Sequence, residues 1–186
     1  MSTTGDRACT KQIAALIAIA VILCIPANTH ADKGKHSAFN LAITTHLGDA
    51  QTFQEGDIVS FYVSLDNDAH LAIIYQDAGN HLYLLIPNAM YANNFFKAGL
   101  FIPIPNEQNP FQFRIAAPFG KETLWVFASN QPLPPLPLLK SEDNTIQLSG
   151  DIDSVRDLLK KHSRKNHALF EESSLILYTA KGSTPP

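Results

Sequence analysis

Apolar residues recur along this chain in short runs divided by polar turns, and the runs are of two kinds. In Phe39–Thr45, Phe39, Leu41 and Ile43 alternate with Asn40, Ala42 and Thr44. In Ile58–Leu65, Phe61, Val63 and Leu65 alternate with Ser60, Tyr62 and Ser64, and Phe111, Phe113 and Ile115 alternate with Gln112 and Arg114. A period of two with one apolar face predicts a strand covered on one side. Four further runs are apolar on both faces: Ala69–Gln76, His81–Ile86, Leu124–Ala128 and Leu175–Thr179. Such strands belong at the centre of a sheet covered on both sides, because leaving one Leu exposed forfeits about 1.5–3 kcal/mol.

The turns follow from residue chemistry. Gly48-Asp49, Phe53–Asp57 and Asp66–Asp68 read as polar turns, and Asp77–Asn80 as a hairpin turn in which Gly79 or Asn80 takes positive φ. Pro87 ends its strand and opens a long connection, Asn88–Ala98. Leu100–Ile104 carries Pro103, which lacks a ladder donor, and so reads as an edge strand. Residues 131–139, with four prolines, predict a polyproline II strap lying across the sandwich. From about 151 to 164, Ile152, Val155, Leu158 and Leu159 form one helical stripe, with Asp151 and Asp153 at its start and Lys160, Lys161, Arg164 and Lys165 toward its end, as the helix dipole favours. The pattern predicts a mainly β fold: an immunoglobulin-like antiparallel β-sandwich of about eight strands with one late C-terminal helix, occupying residues 32–180 and followed by a short tail, 181–186.

The first residues differ from all of this. Arg7 and Lys11 precede an apolar run from Ile13 to Ile25, Pro26 closes it, and Thr29-His30-Ala31 supplies small residues at the end. This is the layout of a secretory signal peptide over residues 1–31, and the run is short for a membrane span of about 20 residues. An uncleaved anchor is the alternative; a lipid anchor on Cys24 is disfavoured by Leu23, which is bulky where such sites take a small residue. Cleavage after Ala31 leaves 155 residues with 12 basic and 16 acidic side chains, and removes both cysteines, Cys9 and Cys24. The mature chain then has no disulfide, thiol nucleophile or Cys-ligated zinc, and its negative charge argues against nucleic acid and anionic membranes as partners.

Several motifs occur in a fixed order: Glu55-Gly56-Asp57; Tyr75 with Asp77…Gly79; Ile86-Pro87-Asn88; Asn94-Phe95; Ala98-Gly99; Ile104-Pro105; Pro118-Phe119-Gly120 with Glu122; and Ala128-Ser129. In this order, over residues 51–133, the chain resembles the bacterial domain-of-unknown-function 4384 family. The resemblance implies a β-rich extracytoplasmic or accessory module with no established catalytic residue or cofactor.

Candidate chemistry is sparse. His36, His46, His70, His81, His162 and His167 are scattered without a zinc motif, and Asp66-Asn67-Asp68 lacks the rest of a calcium loop. No nucleophile elbow, Walker loop or dinucleotide fingerprint occurs. The expectation is therefore no cofactor, no metal and no catalysis: an exported module, periplasmic or secreted, that binds another envelope or extracellular protein. The candidate interaction loop is Asn88, Met90, Tyr91, Asn94, Phe95 and Phe96, since aromatic loop residues mark binding surfaces. The opposing reading has Phe95 and Phe96 pinning the loop to the sandwich. Two alternatives make distinct demands. A hydrolase needs two of Asp57, Asp66, Asp68, Asp77 and Glu122 facing each other about 5–9 Å apart. A glycan-binding module needs Trp125, Tyr62 and Tyr83 in one exposed row.

Overall fold

A computed structural model describes residues 40–88, 92–105, 112–142 and 145–182. The chain divides into two units, residues 1–34 and 35–186, and every described residue belongs to the second. The predicted signal peptide, both cysteines, Met90 and Tyr91 lie outside the described residues.

The described strands are β1 (Leu41–Thr45), β2 (Thr52–Gln54), β3 (Ile58–Val59), β4 (Phe61–Leu65), β5 (Ala69–Gln76), β6 (Leu82–Ile86) and β7 (Phe95–Phe96). They continue with β8 (Gly99–Ile104), β9 (Phe113–Arg114), β10 (Lys121–Ser129), β11 (Leu138–Glu142) and β12 (Thr145–Leu148). Helix α1 (Ile152–Lys165) and β13 (Phe170–Ala180) complete the order. One sheet has the order β1-β4-β8. The large sheet runs β11-β12-β6-β5-β10-β13-β2, with β7 also paired to β5, and β3 pairs β9. All pairings are antiparallel except β13 with β2.

The two faces of the large sheet explain the two kinds of run. On one face Leu71 and Ile73 of β5, Leu124, Val126 and Ala128 of β10, and Leu175 and Leu177 of β13 form a core with Ile43, Phe61, Val63, Leu65 and Ile104 of the smaller sheet. On the other, Ala72 and Ile74, Leu82 and Leu84, Phe127 and Leu148 meet Val155 and Leu159 of α1. The fold is mainly β and sandwich-like, with the helix as a third layer. Helix α1 begins where Asp151 accepts a hydrogen bond from the Ser154 backbone N–H, at 2.8 Å. The Ser154 side chain, and after it the Ser154 backbone N–H, holds the Asp151 carboxyl below its ordinary pKa. Arg156 ties the helix to the sheet through the Glu172 carboxylate (3.0 Å), with its guanidinium 5.0 Å from the centre of the Trp125 ring.

Several expectations are corrected. The last strand is not two-sided: Leu175, Leu177 and Thr179 are buried, whereas Ile176 and Tyr178 are exposed. Ile58–Leu65 is not continuous. The chain is tied at Ser60, whose backbone N–H donates to His46 Nδ1 while its carbonyl accepts from the His46 N–H. β3 can therefore leave the smaller sheet to pair β9. The polar turn at Phe53–Asp57 starts as a strand, because Phe53 is buried beside β13. The strap gives way to β11 at Leu138; before that, Leu133 and Leu136 pack on the helix-side core. Strand segments outnumber the expected eight because β2 and β7 are two or three residues long, too short to show a period, because Ile58–Leu65 divides into β3 and β4, and because β11 and β12 follow the strap.

Candidate functional site

The aromatic loop is mostly structural where it is described. Asn94 is stitched to β5: its carbonyl accepts from the Leu71 N–H (2.8 Å), its side-chain amide donates to the Leu71 carbonyl (3.1 Å), and its Oδ1 lies 3.2 Å from His70 Nδ1. Asn88 donates to the Leu85 carbonyl at 2.6 Å, satisfying an acceptor where the strand ends. Phe96 is buried in the sandwich core. Phe95 is exposed, set against His70 and under the Lys97 ammonium, itself paired with Asp68 at 2.7 Å. One Phe therefore points in and the other out, as β7 pairing demands of neighbouring strand residues.

The exposed apolar surface that sequence reading missed lies just beyond, on β8. This strand ends its sheet, and among the described residues it pairs only with β4. The ladder is regular from Tyr62↔Pro103 to Val63↔Ile102, then slips before Leu65↔Gly99. Leu100 and Phe101 fill that bulge and are the two most exposed large apolar side chains described, at 76% and 68%. Phe101 has φ 60°, a left-handed conformation unusual for a bulky aromatic. Its ring stands edge-on to Tyr62, 6.3 Å between centroids. Bulges re-aim side chains at sheet edges, and an exposed edge is a template for another chain.

A second feature sits at the far end of β5. The β5–β10 register pairs Gln76 with Thr123, which places Asp77 opposite Glu122. Both are buried, at 4% and 1% exposure. Asp77 Oδ1 accepts from the His81 N–H (2.7 Å) and Oδ2 lies 2.9 Å from His81 Nδ1. Glu122 Oε1 accepts from the Thr179 hydroxyl at 2.8 Å; the Tyr75 hydroxyl is close enough to influence the carboxyl, and Oε2 has no hydrogen-bond partner. Loss of hydration raises the Glu122 pKa; the Tyr75 and Thr179 hydroxyls oppose that shift, and the Asp77 charge adds to it. Burial raises Tyr75 and Tyr83 as well, with Glu122 the main neighbour for the first and Asp77 for the second. Beside this cluster opens a cavity of about 260 Å³ lined by Tyr75, Asp77, Tyr83, Leu85, Phe113, Arg114 and Ala116 to Pro118.

The remaining carboxylates serve turns. Asp57 accepts from the Gln54 N–H, Asp66 from the Asn40 N–H, and Asp68 from the Ala98 N–H and Lys97. The Lys97 bond holds Asp68 below its ordinary pKa. Of the five candidate acids, the fold brings together only Asp77 and Glu122. The proposed aromatic row does not form: Tyr62 lies in the smaller sheet, whereas Trp125 belongs to the helix-side core, its indole N–H on Gln76 Oε1 at 3.0 Å. No group of three metal-binding side chains occurs among the described residues, and no described helix is long and apolar enough to cross a membrane.

The signal for the buried pair was present in the strand itself. Glu122 lies in phase with Leu124, Val126 and Ala128, so it occupies the core face at the strand's end. Nothing comparable marked Leu100 and Phe101, whose exposure depends on a register slip.

No curated protein and no solved structure matches the chain. Residues 52–132 match the family described as "Domain of unknown function (DUF4384)". That span runs from β2 to the end of β10 and includes both the β8 edge and the Asp77–Glu122 pair. The chain thus carries a DUF4384 domain, completed by β1 before it and by the strap, α1 and β13 after it.

Proposed function

We propose that the protein is an exported, non-catalytic module of the bacterial cell envelope that binds another protein through the edge of β8. One observation carries this reading. The bulge at Leu100–Phe101 holds an aromatic residue in a left-handed conformation and leaves two large apolar side chains in water, on a strand with no described neighbour beyond it. Strain of this kind costs about 1–3 kcal/mol and concentrates where a surface has a task. A partner segment lying along β8 would cover both side chains and pair the open edge. Phe95, the outward residue of the aromatic loop, adds a further exposed ring. The export assignment rests on the basic, apolar and small-residue pattern of residues 1–31.

The test compares wild type with the double variant Leu100→Ser, Phe101→Asn. Both proteins are crosslinked in intact cells and recovered from the envelope fraction. Unchanged circular dichroism together with at least tenfold less of a specific crosslinked partner is the expected result. Equal recovery overturns the β8 interface. Mass spectrometry of the recovered chain tests export separately: the mature protein should begin at Asp32, and an intact Met1 would contradict cleavage.

A further inference from the structure

The cavity beside Asp77 has the chemistry of a cation receptor. Three rings frame it. Tyr75 stacks near Tyr83 (6.0 Å, 27°) and meets Phe113 edge-on (4.8 Å, 81°). Asp77 lies among the lining residues, although only 4% of it is exposed. Carboxyl groups neighbour both tyrosines, Glu122 beside Tyr75 and Asp77 beside Tyr83. What the two tyrosines and Phe113 contribute to the cavity wall is ring surface. Aromatic faces and a desolvated carboxylate both attract a cation, and the combination gives an anion little to donate to it.

Two basic side chains adjoin the site. Arg114 is among the lining residues, and its guanidinium is held by two neutral acceptors: Nη1 donates to the Gly56 carbonyl at 2.9 Å and Nη2 to Gln112 Oε1 at 3.4 Å. His81 contacts Asp77 from the hairpin side and is not among the lining residues.

We propose that this cavity binds a primary alkylammonium group, with Tyr75, Tyr83 and Phe113 around the methylenes and the Asp77 carboxylate on the nitrogen. At about 260 Å³ it fits one extended side chain or small amine rather than a drug-sized ligand. The site is separate from the β8 edge, so loss of one need not disturb the other.

Isothermal titration at about pH 8, where an ordinary imidazole is neutral, tests this with Nα-acetyl-lysine methylamide and its uncharged norleucine counterpart. Saturable binding of the lysine compound, with norleucine at least tenfold weaker, is expected. Asp77→Asn should weaken the lysine compound at least tenfold. Because Asp77 also holds the hairpin turn, Tyr83→Leu provides a second variant with the same expected loss. Equal binding of the two compounds, no binding of either, or full affinity in a folded Tyr83→Leu protein overturns the proposal. A last comparison identifies the source of the amine: tighter binding of 1,5-diaminopentane than of a lysine peptide supports a free small molecule, and the reverse order supports a protein chain.

Discussion

Glu122 is the residue whose placement demands the most of this fold. A carboxyl group at 1% exposure, with one oxygen unpartnered, favours its neutral form. Its folded pKa is raised, so the folded state holds the proton more tightly than the unfolded state does. Its favourable contribution is complete below the ordinary carboxylate range and is lost as pH rises through the folded value. Glu122→Gln should therefore be more stable relative to wild type at neutral pH than in acid, and urea unfolding across that range will show it; a constant difference would contradict the sign. Phe101 is the opposite case, a residue strained in the open. Asn tolerates the left-handed region, so Phe101→Asn should leave stability unchanged or raise it by up to about 1 kcal/mol in urea unfolding. That result would dissociate the side chain's use from its part in folding. Neither residue announced itself equally in the sequence: the phase of Glu122 along its strand was readable, but the partnership with Asp77 depends on a register between segments far apart in the chain.

Elements with strong local pattern were the legible ones. The both-faced runs of β5, β6 and β10 correctly implied a sheet covered on two sides, and the stripe with acidic start and basic end located α1 almost to the residue. β13 was misread because Leu175–Tyr178 is apolar throughout, and sequence cannot tell a residue under a helix from one beyond its reach. Ile58–Leu65 was misread because its break is imposed from outside, by His46 on Ser60. The helix's hold on the sheet can be tested directly. Leu159 is fully buried against the sheet, so Leu159→Ala should cost about 2–5 kcal/mol. Leu158, one position earlier and 36% exposed, should cost markedly less when changed to Ala in the same denaturation series.

At the scale of the molecule, the stretch that matches the family is not the unit that folds. β10 is paired along its length to β13 on one side and from Thr123 to Ser129 to β5 on the other, and β13 lies well beyond residue 132. Without β13, the core loses Leu175 and Leu177, Glu122 loses the Thr179 hydroxyl, and a long central strand becomes an open edge. A fragment covering residues 40–133 should thus show no cooperative thermal transition, whereas residues 32–182 should unfold in one. A sharp transition in the shorter fragment would mean that the family segment builds its own core.

The setting of Trp125 has a practical consequence. It is the only tryptophan in the chain, and it sits on the helix-covered face between Gln76 and the Arg156 guanidinium, away from the core shared by the two sheets. Its fluorescence therefore reports whether α1 is seated, while far-ultraviolet dichroism follows the strands. In a single unfolding experiment the two signals would separate if the helix detaches first and coincide if all layers come apart together, giving the molecule a built-in optical gauge of its own cooperativity.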